Sequence, residues 1–162
     1  MARLATHPAE AHIADQYGCL PLHDACAYQA PLAVVQALLH AHPAAASMPN
    51  MYGFPLHYAA YDQAPLDVIQ LLLRAYPKAA YTADIYGRLP QHHATLSPSY
   101  PGSVGVVAAL LAVHPEAALM HDTWGELPNL ARYPAAAIAA ALRAQGAARR
   151  RLAMLAWVAA RM

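Results

Sequence analysis

The pattern of apolar and polar residues is clearest over residues 65–75, where it predicts an amphipathic helix. The polar side chains Asp67, Gln70 and Arg74 are spaced by three and then four residues, so they fall on one stripe of a helix. The other positions are mostly leucine, valine and isoleucine. A helix that is polar on one narrow stripe and apolar elsewhere is expected to pack between neighbouring helices.

A short sequence motif recurs along the chain with a period of 34 to 38 residues. Tyr-Gly occurs at Tyr17, Tyr52 and Tyr86, and it returns as Trp-Gly at Trp124, at offsets of 35, 34 and 38 residues. A period of this length is typical of stacked repeats, in which neighbouring units bury a continuous core and present an extended surface for binding.

Each unit begins with a turn and continues into a short helix. Residues 15–23, 50–57 and 84–92 share the order Asp or Asn, Tyr-Gly, Pro and His, whereas the unit from Asp122 has Leu130 in place of histidine. Asp or Asn followed three residues later by glycine predicts a tight turn, because the side chain accepts backbone N–H groups and glycine tolerates positive φ. The proline that follows predicts the first residue of a helix.

These residues resemble ankyrin repeats. The family motif, Asp-x-x-Gly-x-Thr-Pro-Leu-His-x-Ala, is matched at residues 15–25, with Leu20 in place of threonine. Phe54 and Leu89 take that place in the next two copies, and Gln91 replaces the leucine of the third. The resemblance implies an all-α fold, an ankyrin-type α-solenoid of antiparallel helix pairs whose turns project as fingers beside a concave face. Because threonine is missing, its usual hydrogen bond to the motif histidine must be replaced or lost.

The register of the repeats divides the chain into an array over residues 1–145 and a C-terminal segment. Pro43, Pro77 and Pro115 follow the second helices, where the family has Gly-Ala-Asp, and they predict an extra turn in each connection. Met1 falls inside a second helix, which indicates either a piece of a longer array or an end that another molecule covers. The predicted units are a partial repeat at 1–14, repeats at 15–49, 50–83 and 84–121, a degenerate repeat at 122–145, and a basic and apolar capping helix at 146–162.

The third unit departs from the others in its second helix. Gly105, Ala108 and Ala112 stand where the second unit has its polar stripe, so this helix has lost its polar face. Small residues allow another helix to approach closely. We expect either the C-terminal helix or a partner to cover this face, and we favour the C-terminal helix.

Composition narrows the class of protein. Hydrophobic residues make up 59% of the chain and charged residues only 12%, against about 25% in an ordinary domain. The net charge of +1 gives no reason to expect DNA as a partner. Two cysteines, Cys19 and Cys26, are too few for a disulfide framework and are expected to be reduced. No signal peptide or transmembrane stretch is recognisable, so we expect a soluble protein of the cytoplasm or an organelle interior.

The candidate partner-binding residues are mainly aromatic and apolar side chains on or near the turns. Tyrosine and tryptophan are frequent hot spots of protein interfaces. The alternative interpretation is that repeated rings stack on one another and brace the turns. The candidates are Tyr17, Tyr52, Tyr86, Trp124, Met51, Ile85, Arg88, Tyr28, Tyr61 and Tyr100.

These features predict a non-enzymatic scaffold that binds another protein through the finger tips and the concave face. The alternative is a permanent structural or peripheral subunit of a large complex, including a ribonucleoprotein or membrane-associated one. The low charge and the apolar third unit favour this alternative. No phosphate-binding glycine loop, nucleophile motif or recurring carboxylate pair is recognisable, so we expect neither catalysis nor a cofactor.

Two further sets of residues have weaker functional interpretations. His23, His57 and His92 occur once per unit, and stacked units lie about 10 Å apart, too far to share one zinc ion. We therefore expect structural histidines and no metal. The run Arg149, Arg150 and Arg151 is the one feature that favours RNA or an anionic membrane, and a solvated stretch of the capping helix is the preferred interpretation.

Overall fold

The computed structural model describes residues 8–96 and 104–144. Within these ranges the regular elements are helical and no strand occurs, which confirms the all-α prediction. The α-helices are α1 (Pro21–Ala27), α2 (Leu32–Ala41), α3 (Pro55–Tyr61), α4 (Leu66–Ala75), α5 (Pro90–Leu96), α6 (Val104–Val113) and α7 (Ala135–Ala144). The 3-10 segments are Pro8–His12, Pro43–Ser47, Pro77–Tyr81, Pro115–Leu119 and Leu130–Arg132.

The helices lie in two rows. In one row α1 packs on α3 and α3 on α5, and in the other α2 packs on α4, α4 on α6 and α6 on α7. The pairs α1–α2, α3–α4 and α5–α6 also pack against each other. One continuous apolar core results, and it includes Leu22, Val35, Leu56, Val68 and Val107. The amphipathic helix predicted at residues 65–75 is α4, which buries four of its apolar side chains.

The motif histidine fixes the start of each first helix. The helix begins at the motif proline, and Nδ1 of the histidine at its third position accepts the backbone N–H three residues earlier. That N–H belongs to the residue directly before the helix, so a backbone donor satisfies the motif histidine in each of these units. The donor and acceptor residues, with their distances, are Leu20 and His23 at 3.0 Å, Phe54 and His57 at 3.1 Å, and Leu89 and His92 at 3.1 Å.

The Asp or Asn side chain organises each repeat turn, as predicted. We name these turn 1 (residues 15–19), turn 2 (50–53), turn 3 (84–88) and turn 4 (122–126). In turn 3, Oδ1 of Asp84 accepts the N–H groups of Tyr86 at 2.8 Å and Arg88 at 2.9 Å, and Gly87 has φ +71°. In turns 1 and 4, Oδ1 of Asp15 and Oδ1 of Asp122 each accept two backbone N–H groups in the same way. Turn 2 is one residue shorter, and its Asn50 exchanges backbone hydrogen bonds with Gly53.

The connections after the second helices contain the predicted extra turn. A 3-10 segment begins at each of the three prolines, at Pro43–Ser47, Pro77–Tyr81 and Pro115–Leu119. In two of these connections, a histidine before the proline ties its unit to the preceding one. Nδ1 of His42 donates to the carbonyl of Ala11 at 3.2 Å, and Nδ1 of His114 donates to the carbonyl of Ala80 at 3.0 Å.

The chain itself packs a helix against α6. Ala108, at the centre of the missing polar stripe, is fully buried, and α7 packs against α6. The helix that packs there is Ala135–Ala144, whereas the capping helix predicted at 146–162 to cover this face lies outside the described residues. The fourth unit has the short 3-10 segment Leu130–Arg132 in place of a first α-helix. Among the described helices, none is long and apolar enough to span a bilayer.

Gln91 offers a test of core packing. It is 2% exposed, and within the described part of the chain neither its amide nitrogen nor its oxygen has a hydrogen-bond partner. Leu22 and Leu56 occupy the same motif position in the first two units. Gln91→Leu should raise the free energy of unfolding by about 1–3 kcal/mol in urea titrations, because it removes an unpaired buried amide. The reciprocal change, Leu56→Gln, should lower it, and an unchanged or lower stability for Gln91→Leu would contradict this account.

A matched pair of glycines tests the contact between turns 3 and 4. Gly87 and Gly125 have φ +71° and +79°, so alanine at either position should cost about 1–2 kcal/mol of folding stability. A Cβ on Gly87 would also lie 3.0 Å from Thr123, whereas a Cβ on Gly125 would have no atom of residues 8–96 or 104–144 within 4 Å. Urea titrations should therefore show a larger loss for Gly87→Ala than for Gly125→Ala. Equal losses of folding stability in the two variants would show that turns 3 and 4 are not in close contact at Gly87.

Candidate functional site

The predicted row of aromatic side chains is exposed along the turns. Tyr17, Tyr52, Tyr86 and Trp124 have exposed fractions between 39% and 58%. The other exposed candidates are Met51, Ile85, Tyr28 and Tyr61, and Arg88 is partly buried. Tyr100 and the arginines 149–151 lie outside the described residues.

Turns 3 and 4 are braced by stacked side chains. The rings of Tyr86 and Trp124 stack with centroids 5.5 Å apart, and the guanidinium of Arg88 lies 4.5 Å from the centroid of the Trp124 ring. Nε of Arg88 donates to Oδ2 of Asp122 at 3.1 Å. The backbone N–H and hydroxyl of Thr123 both donate to the carbonyl of Tyr86. These two rings therefore brace the turns, as in the alternative interpretation, and they also remain exposed.

Turns 1 and 2 are joined by polar contacts instead. The amide nitrogen of Asn50 donates to Sγ of Cys19 at 2.8 Å and to the hydroxyl of Tyr58 at 2.7 Å. Cys19 and Cys26 are free thiols, as expected. Within the described residues, the stacked pair of turn rings is Tyr86 and Trp124, so the four rings do not form one continuous stack.

A pocket of about 270 Å³ opens between turns 2 and 3. It brings together Tyr52, Tyr61, Tyr86 and Arg88 from the predicted set, whereas the other described candidates do not line it. The full lining is Tyr52, His57, Tyr58, Tyr61, Asp84, Tyr86, Arg88 and His93.

A histidine–aspartate pair forms part of the pocket wall. Nε2 of His93 donates to Oδ2 of Asp84 at 2.7 Å, and Oδ1 of the same carboxylate accepts the two backbone N–H groups of turn 3. The His93 ring packs edge-on against His57 at 5.6 Å and against Tyr61 at 5.7 Å between centroids. Nδ1 of His93 is buried and has no hydrogen-bond partner among the described residues.

Burial keeps these histidines neutral at pH 7. Burial, together with the neighbouring His93, lowers the pKa of His57 to about 4. Burial also lowers the pKa of His93, although the hydrogen bond and negative charge of Asp84 oppose the shift. The pKa values of His23 and His92 are lowered by burial in the same way. The charged groups of the pocket are therefore Asp84 and Arg88, which are opposite in sign.

The contributions of Tyr58 and His93 to this pocket were not predicted from the sequence. Each follows a motif histidine directly, and each contacts the Asp or Asn of its own turn: Tyr58 contacts Asn50, and His93 contacts Asp84. The sequence signal for both residues is this shared position after the motif histidine. Asp84 was predicted as a turn former, and its second oxygen holds His93 as well.

Among the described residues, no group of three or more histidine, cysteine or acidic side chains is arranged to hold a metal ion. No protein-family model matches the chain, and no curated protein matches it either. The functional conclusion therefore rests on the geometry of the turns and the pocket.

The buried histidines predict a specific pH dependence of stability. The folded pKa of His57, about 4, lies below the ordinary 6.5, so between these values the unfolded chain binds a proton that the folded chain does not. The stabilisation is complete above pH 6.5 and is lost as the pH falls toward 4. From pH 7 to pH 5, His57 alone should reduce the free energy of unfolding by about 2 kcal/mol.

Urea titrations at several pH values measure this effect. His57→Gln should be less stable at pH 7, and its stability should fall less steeply between pH 7 and pH 5. His121 is exposed, so His121→Gln is the matched control and should keep the steep dependence. If His57→Gln and the unaltered chain lose stability in parallel, His57 is not a source of the pH dependence.

Proposed function

We propose that this chain is an ankyrin-type α-solenoid that binds another protein through its repeat turns and the aromatic side chains beside them. The resemblance of the motif, its period and the two rows of packed helices support the architecture. The observation that carries the function is the row of exposed aromatic side chains at Tyr17, Tyr52, Tyr86 and Trp124, each on a turn that Asp or Asn hydrogen bonds hold in place.

The large contact area and the fixed positions of these rings suit protein recognition. Tyrosine and tryptophan supply a large contact area with few rotatable bonds, so little conformational entropy is lost when they bind. The contacts of Arg88 and Thr123 hold Tyr86 and Trp124 in place before a partner arrives. Preorganised side chains bind more tightly than mobile ones for the same contact area. No catalytic step or cofactor is part of this proposal.

A permanent subunit of a larger assembly is the second candidate. Large apolar side chains are also exposed away from the turn tips, at Met48, Tyr81, Leu119 and Met120. Extensive exposed apolar surface is typical of proteins with permanent partners. Size-exclusion chromatography of the isolated protein separates the two candidates, because a reversible binding module should be monodisperse and an obligate subunit should aggregate.

The experiment that tests binding is recovery of partners with the tagged protein, followed by mass spectrometry. The variant that changes Tyr17, Tyr52, Tyr86 and Trp124 together to alanine should recover the partner at least about tenfold less well, because aromatic hot spots each contribute about 2 kcal/mol or more. Circular dichroism should show an unchanged helix content.

The matched control changes exposed apolar residues away from the turns. Ile13→Ala, Met48→Ala and Leu119→Ala together remove a comparable kind of surface and should leave recovery unchanged, since these residues are exposed but lie off the aromatic row. Full recovery by the four-residue turn variant, with its fold intact, would reject the turns as the binding surface.

A further inference from the structure

The pocket between turns 2 and 3 has the size of one large side chain. Its volume of about 270 Å³ lies below the usual range for pockets that hold drug-sized molecules, about 300–1,000 Å³. Tyr52, Tyr61 and Tyr86 contribute rings to its wall and are exposed, so they can contact an incoming group. Rings favour other rings in offset-stacked or edge-on arrangements. The walls therefore favour an aromatic side chain.

The charges of the pocket disfavour an ionic occupant. The Asp84 carboxylate is occupied by His93 and by two backbone N–H groups, so it has little capacity left for a cation. Arg88 is bonded to Asp122 and lies over Trp124, so an anion would compete with an existing partner. Asp84 would also repel an anion in the pocket, and Arg88 would repel a cation. A neutral group fits both constraints.

His93 adds a polar requirement. Its Nε2 donates to Asp84, so its Nδ1 is an acceptor, and this buried nitrogen has no donor among the described residues. Buried acceptors are normally paired, so a donor at this position is favourable. Nδ1 is covered in the free chain, so an incoming donor reaches it when the Tyr61 ring, which packs edge-on against His93 and is more than half exposed, shifts while it stays in the wall.

We propose that this pocket receives one neutral aromatic side chain of the partner protein, tryptophan or tyrosine, whose N–H or O–H group donates to Nδ1 of His93. The inference rests on the proposed protein-binding function and specifies what the partner inserts. Phenylalanine fills the same space without the donor, and phosphorylated tyrosine brings a charge that Asp84 disfavours.

Indole tests the proposal directly, with N-methylindole as the matched probe without an N–H group. Titrations of the full chain are followed by the ring nitrogen signals of His93 in two-dimensional NMR spectra. Indole should bind with a dissociation constant in about the millimolar range, and it should shift the Nδ1 signal of His93. N-methylindole should bind about fivefold more weakly, because it cannot form the hydrogen bond. Phenyl phosphate and tetramethylammonium should bind more weakly than indole.

Variants locate the binding. Tyr52→Ala and Tyr61→Ala remove exposed wall rings and should each weaken indole binding about fivefold. Tyr17→Ala removes an exposed ring from turn 1, outside the pocket, and should leave indole binding unchanged. His93→Phe should bind indole and N-methylindole equally. The proposal is overturned if the unaltered chain binds these two probes equally, if a charged probe binds more tightly than indole, or if Tyr17→Ala matches Tyr52→Ala.

Partner recovery separates this inference from the proposed function. If the four-residue turn variant loses the partner but indole does not bind the unaltered chain, the pocket inference is overturned and the proposed function stands. If indole binds as expected but the turn variant recovers the partner in full, the proposed function is rejected together with the inference. Loss of partner recovery in Tyr61→Ala, combined with the expected indole results, supports both.

Discussion

The neutral imidazole at the third position of each first helix is the interaction on which the rest of the structure depends. Its Nδ1 accepts the N–H of the residue before the helix, which fixes where the turn ends and the helix begins. In the third unit, Nε2 of His92 also donates to the carbonyl of Met120 at 2.8 Å, in the unit that follows. A single side chain thus joins turn, helix and neighbouring unit, and it does so only while uncharged.

The candidate site follows from this arrangement. Because the histidines and the Asp or Asn side chains fix the turns, the rings of Tyr52 and Tyr86 project from positions set by backbone hydrogen bonds. Asp84 has two roles, since one oxygen closes turn 3 and the other holds His93 in the pocket wall. The surface proposed for binding is therefore continuous with the interactions that stabilise the fold.

Features that repeat with the period were predictable from the sequence. The turns, the helices that begin at proline, the amphipathic α4 and the extra turn after each second helix all follow from local patterns that recur. The pocket was not predictable in the same way, because it depends on differences between units. His93 pairs with a residue nine positions earlier only because this unit has histidine after the motif histidine. Cover of the face at Ala108 by the helix at 146–162 stays a prediction, because those residues lie outside the described part of the chain, where α7 packs against α6.

The apolar character of α6 has a consequence for how the chain can be divided. Helix α4 has a polar stripe and can face water on that side, whereas α6 buries six consecutive residues from Val106 to Leu111 with α7 packed against it. Ending the chain near residue 121 would leave α6 without that cover. The regular period suggests interchangeable modules, yet a shortened version that keeps α6 must also keep α7 to preserve this packing.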